Sequence, residues 1–117
     1  MKEYEIEFYS TKNGERPAEI FLNALDIKML AKILRITDLL EEFGPELRLP
    51  YSKHLDDDIF EIRAQQKHDI TRVLYFFVAG KKIILTNGFI KKTQKTTKTE
   101  LERAKKYRED YKRRFGL

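Results

Sequence analysis

The sequence predicts an α+β fold: an N-terminal strand and a helical hairpin packed on a mainly antiparallel sheet of four to five strands, followed by a C-terminal helix. Three observations carry this. Apolar and charged residues alternate at the start of the chain, apolar residues then recur at helical spacing as far as residue 43, and short β-branched and aromatic runs follow from residue 55. Consecutive strands joined by tight links pair antiparallel, and strands gathered after helices rather than alternating with them mark an α+β chain.

Tyr4, Ile6 and Phe8 interleave with Glu3, Glu5 and Glu7, the period-two pattern of a strand with one wet face. Ser10-Thr11-Lys12-Asn13-Gly14 is a turn cluster. Pro17 suits the first turn of a helix whose apolar stripe is Ile20, Phe21, Ala24 and Leu25, ending near Asp26. Asp26 then caps a second helix, in which Met29, Leu30, Ile33, Ile36, Leu40 and Phe43 lie three or four apart, until Gly44-Pro45 stops it. Strands are expected at Ile59 to Ala64, Ile70 to Val78 and Lys82 to Asn87, with Ala79-Gly80 closing the hairpin between the last two. Thr97 or Thr99 caps the final helix, each with a glutamate three residues on, and Leu101, Ala104, Tyr107, Tyr111 and Phe115 form its docking stripe.

The length of 117 residues fits one domain, 1–117, with a single core. The N-terminal Met1-Lys2-Glu3-Tyr4-Glu5-Ile6-Glu7 lacks the apolar segment of a signal peptide, and no run reaches the roughly 18 apolar residues of a membrane span, so a soluble cytoplasmic protein is expected. The absence of cysteine excludes disulfide frameworks, zinc ribbons and thiol nucleophiles.

Charge is unevenly distributed. Residues 81–117 hold 13 Lys and Arg against 4 Asp and Glu, a net of +9 in a chain whose total is +5, so residues 1–80 are net −4. Such asymmetry points to an anionic partner for the basic end, captured through a salt-dependent field. The run Leu85-Thr86-Asn87-Gly88-Phe89-Ile90-Lys91-Lys92-Thr93-Gln94-Lys95 is its sharpest feature. It is an apolar strand that breaks at a glycine and delivers three lysines to the rim of the sheet, with Lys98 continuing the basic series.

Alternation puts Phe60 and Ile62 on one face of their strand, Glu61 and Arg63 on the other, and in the next strand groups Arg72 with Ile70, Leu74 and Phe76. An arginine inside an apolar strand is rarely buried without a partner, so Arg72 either pairs with Glu61 or lines a functional concavity. Arg63, Arg72, Lys91, Lys92 and Lys95 come from neighbouring strand regions about 5 Å apart and would converge on one phosphate. Converging cations can also promote attack of a ribose 2′-hydroxyl on its own phosphate, which needs a base, a stabiliser of negative charge and a proton for the leaving oxygen, and requires no metal or other cofactor. His54, which precedes the sheet, could reach such a groove, whereas His68 lies in a polar turn. An exposed Tyr75 would suit a nucleobase. Asp56-Asp57-Asp58 reads as a loop between strands rather than a metal site, because three consecutive acids point different ways and no second acidic pair accompanies them.

Leu55, Ile59-Phe60-Glu61-Ile62-Arg63, Thr71-Arg72-Val73-Leu74-Tyr75-Phe76, Gly88-Phe89-Ile90-Lys91-Lys92-Thr93 and the helix from Ala104 to Tyr111, in this order, resemble the RelE/ParE toxin superfamily, most closely its HigB-like, phage-derived branch. The resemblance covers nearly the whole chain. It implies the RelE-like microbial RNase fold and a small toxin of a type II toxin–antitoxin pair that cleaves mRNA, in many relatives on the translating ribosome. Carried over by position, it implies Arg72 for the scissile phosphate, Lys91 or Lys92 for charge stabilisation or proton donation, Arg63 for backbone positioning, and Glu61 as either a base or an arginine's partner. Lys95 and Lys98 extend the RNA-binding surface, with Tyr75, His54 and Asn87 beside it. Relatives often use a C-terminal tyrosine or a histidine near the end of the last strand; this chain has Asn87 and Phe89 there instead, which leaves the general base unassigned.

The resemblance also implies a cognate helix-turn-helix, HigA-like antitoxin, in a toxin–antitoxin heterotetramer, docked on the basic groove or on the acidic N-terminal half. Two other functions share the fold: a ParE-like poison that binds DNA gyrase, and a non-catalytic RNA-binding module. The lysine trio favours the nuclease.

Overall fold

The computed structural model describes residues 2–91 and 96–116. Its elements are β1 (Glu5–Phe8), α1 (Pro17–Asn23), α2 (Ile27–Phe43), a 3₁₀ turn (Gly44–Glu46), β2 (Ser52–Asp56), β3 (Ile59–Gln66), β4 (Asp69–Val78), β5 (Lys82–Lys91) and α3 (Lys98–Phe115). The strands form one sheet in the order β1-β5-β4-β3-β2. The α+β class, the helical hairpin and the C-terminal helix are as the sequence predicts.

Period-two alternation sorts the sheet's side chains into two cores. Ile62, Val73, Tyr75, Ile83 and Leu85 pack under the hairpin against Met29, Ile33 and Leu40. Ile59, Leu74, Phe76 and Ile84 face the other way, against Ala104 and Tyr111 of α3. The helices start where their caps are: Asp26 accepts from the Lys28 and Met29 amides, and Thr97 from the Glu100 amide. The aspartate triplet ends β2 at Asp56, forms the β2–β3 turn with Asp57 and Asp58, and anchors α3. Asp56 Oδ2 is 2.6 Å from Lys105 Nζ, and Asp58 bonds Arg108 and Lys112.

Four local details refine or correct the sequence reading. First, the sheet is mainly antiparallel, as expected, from β5 to β2, and its one parallel pair joins β1 to β5, Glu5 opposite Lys82. Second, residues 52–56 form an edge strand where the sequence reading began the sheet later; its exposed Lys53 and His54 hide the alternation. Third, α1 is rotated, burying Ala18 and Leu22 and leaving Ile20 57% exposed, because a helix of seven residues has too few apolar positions to fix its phase. Fourth, β5 does not break at Gly88 but continues to Lys91. That glycine answers a packing demand: a Cβ there would lie 2.4 Å from Cδ2 of Phe21.

Candidate active site

One irregularity positions the site. Leu74 pairs with Asn87 but Tyr75 pairs with Leu85, so Thr86 is an extra residue in β5 and its Oγ1 donates to the Leu74 carbonyl. A one-residue bulge reverses which face the following side chains take. Beyond it Asn87, Phe89 and Lys91 share the α3 side with Arg72, whose register partner is Phe89. An unbulged β5 would have turned Lys91 toward the hairpin.

On this face Arg63 of β3 and Arg72 of β4 are direct register partners. Like charges so placed repel. Glu61, two residues before Arg63, lies against both: its Oε2 is 3.4 Å from Arg72 Nε and 3.6 Å from Arg63 Nε, and its Oε1 accepts from Thr96. The Glu61 and Arg72 side chains are each 2% exposed. Arg63 is half-buried at the rim. Burial holds the Arg72 pKa below the usual arginine value, and the Glu61 carboxylate offsets part of that cost, which helps a guanidinium to sit inside the sheet face.

Lys91 completes the group from β5. It is 7% exposed, and its Nζ has no hydrogen-bond partner among the described residues. The ammonium lies 5.9 Å from the Phe89 ring centre. Burial, and after it the Arg72 guanidinium, hold its pKa below the usual lysine value. An amine of this kind, beside two guanidinium groups, can exchange protons in a place where an oxyanion would be stabilised.

Residues 20–109 match the family described as phage-derived protein Gp49-like. The chain belongs to the Gp49-like family. A chain of the archaeal RelE–RelB complex from Pyrococcus horikoshii OT3 has the same fold, with a TM-score of 0.50 and 19% identity over 80% of this chain and 99% of that one. No curated protein matches the sequence.

The Gp49-like chain brings Glu61, Arg63, Arg72 and Lys91 together, and keeps other sequence candidates apart from them. Tyr75 is on the hairpin face, 1% exposed, with its hydroxyl bonded to Ser52 Oγ and its pKa pushed up to about 12 by burial; it is a core residue and not a stacking platform. His54 is on that same opposite face, its ring 5.0 Å from Phe60, and its Nε2 bonds the Asp57 carbonyl. Asn87 shares the site face but is buried, and its Nδ2 donates to the Glu100 carbonyl and Oε1, tying α3 to β5. Lys98 is exposed at the start of α3, two residues beyond Thr96. Lys92 and Lys95 lie outside the described residues. Sequence reasoning missed Lys53, which is exposed and the register partner of Glu61, and Thr96, which donates to that carboxylate. Recognising β2 would have revealed the first through alternation; nothing in the sequence marks the second.

Proposed function

We propose that this Gp49-like chain is the toxin of a type II toxin–antitoxin pair and acts in the cytoplasm as an mRNA endoribonuclease on the translating ribosome. The reading rests on one observation: a buried lysine whose Nζ has no hydrogen-bond partner among the described residues shares a sheet face with two arginines held by a common carboxylate. Neutral Lys91 takes the proton from a ribose 2′-hydroxyl, whose oxygen attacks the adjacent phosphorus. The P–O5′ bond breaks, leaving a 2′,3′-cyclic phosphate, and the departing 5′-oxygen takes a proton from the Lys91 ammonium or from water. Arg72 and Arg63 carry the negative charge that builds on the phosphoryl oxygens, and Glu61 keeps the two guanidinium groups in register. Lys53 and Lys98 contribute to holding the RNA backbone, with Lys92 and Lys95 as further candidates. An antitoxin is the inferred partner, a reading supported by the archaeal neighbour's RelE–RelB complex, and we infer further that it is a helix-turn-helix protein in a heterotetramer.

The test is cleavage of a labelled mRNA by the purified chain, with and without ribosomes. Wild type is expected to cut and Lys91→Met to bind without cutting, with unchanged circular dichroism. Intact mRNA in arrested cells that induce the DNA-damage response would instead identify a gyrase poison, and the nuclease reading would fall.

A further inference from the structure

A cavity of about 540 Å³ lies between α2 and the edge of β3, where β2 has already left the sheet. Its cationic lining is Lys32, Arg35, Arg63 and Arg72, and no carboxylate lines it among the described residues. Lys32 and Arg35 are exposed and one turn apart on α2, so they share a face. Arg63 and Arg72 belong to the candidate active site, which makes the two sites continuous. The opposite wall is apolar: Leu49 is 60% exposed and Tyr51 41% exposed, with Pro50 between them.

We propose that this cavity is a nucleoside subsite, holding the base next to the scissile phosphate against Tyr51 and its flanking phosphate on Lys32 and Arg35. This rests on the nuclease reading. Positive charge along one side and a flat apolar wall along the other match a single-stranded nucleic acid, whose phosphates need cations and whose bases need a stacking surface. A peptide fits less well. The Gln65 carbonyl, which an added strand would use, already accepts from Lys32 Nζ at 2.7 Å, so the open edge of β3 is capped. The Tyr51 backbone carbonyl accepts from the Arg63 amide, so the same residue that offers its ring to a base fixes the arginine beside it. A subsite so placed gives the enzyme a preference for the base it holds, which the phosphate contacts alone cannot supply.

The experiment measures binding of a fluorescein-labelled hexanucleotide with 2′-deoxyribose throughout, which lacks the attacking hydroxyl. Tyr51→Ala is expected to weaken binding about tenfold, near the low end of what one stacked base contributes, without altering the salt dependence. Tyr51→Phe should restore it. Arg35→Gln should weaken binding and lower the salt slope by about one. Cleavage of ribosome-bound mRNA by wild type and Lys91→Met is followed in parallel. If wild type cuts and Lys91→Met does not, yet Tyr51→Ala and Arg35→Gln bind as tightly as wild type, the subsite is refuted and the nuclease stands. If wild type does not cut but the Tyr51 and Arg35 variants still lose binding as described, the cavity binds nucleic acid and the nuclease reading fails alone. If a glutamate-rich peptide shifts the Tyr51 and Arg35 NMR signals and the hexanucleotide does not, the cavity is a peptide site and the proposal is wrong.

Discussion

Glu61 and Arg72 meet inside the sheet face with Oε2 and Nε 3.4 Å apart, and the same carboxylate oxygen also reaches Arg63. Removing its charge leaves two guanidinium groups facing each other across β3 and β4 with little solvent to screen them. Glu61→Gln is therefore expected to destabilise the fold by about 3–5 kcal/mol, the usual cost of stripping one partner from a buried pair. Urea unfolding measures it; an unchanged midpoint would show that Glu61 does not hold the arginines.

On the proposed mechanism, Lys91 would make cleavage pH-dependent. Its pKa is held below 10.5, and as a base it works in the neutral form, so the rate should rise with pH and level off before 10.5. Lys91→Arg keeps the charge but stays protonated, and is expected to lose about 10²–10⁴-fold in rate together with the alkaline rise. A wild-type profile flat across this range removes Lys91 from proton transfer.

Gly88 tests the link between hairpin and site strand. Gly88→Ala forces a Cβ to within 2.4 Å of the Phe21 ring, and should cost about 1–3 kcal/mol by overpacking. Pairing it with Phe21→Ala frees the space, so the double variant should lose less than the two single losses added together. Strict additivity in thermal or urea denaturation would mean that the contact does not limit residue 88.

The Asp58 clamp responds to acid. Burial works against its charge, but Arg108 and Lys112 outweigh it and hold the carboxyl below 3.8. Its contribution to stability is then present above pH 3.8 and fades as pH falls through the lower folded-state value. Asp58→Asn is expected to be about 1 kcal/mol less stable than wild type at neutral pH, a modest cost because the aspartate is partly solvated. That gap should close in strong acid. A gap independent of pH would assign the loss to packing.

Much of this site was legible because strand parity is a strong signal. Glu61 and Arg63 on one face, and Arg72 on the face of Leu74 and Phe76, follow from alternation alone. The position of Lys91 was not readable in the same way. Ile83-Ile84-Leu85 is apolar without alternation, because β5 is covered on both faces, so nothing in the sequence reveals the extra residue at Thr86 that turns Lys91 toward Arg72. The charge count misled differently. It opposes an acidic N-terminal part to a basic C-terminal one, whereas the four cations that line the cavity, Lys32, Arg35, Arg63 and Arg72, all come from the acidic part. Linear charge asymmetry reports composition, and the fold redistributes it. Tyr75 shows a further limit, since an aromatic in an alternating strand reads the same whether its face is open or covered by a hairpin.

The pairing of Glu5 with Lys82 sets a timetable for the newborn protein. Their separation of 77 residues means that β1 leaves the ribosome long before its neighbour exists, by roughly 4–15 s at ordinary elongation rates. Throughout that interval the N-terminal strand lacks its β5 partner, and Lys91 has not been made. On the proposed nuclease reading, polymerisation order alone would keep a partly synthesised chain harmless to the machine that is producing it.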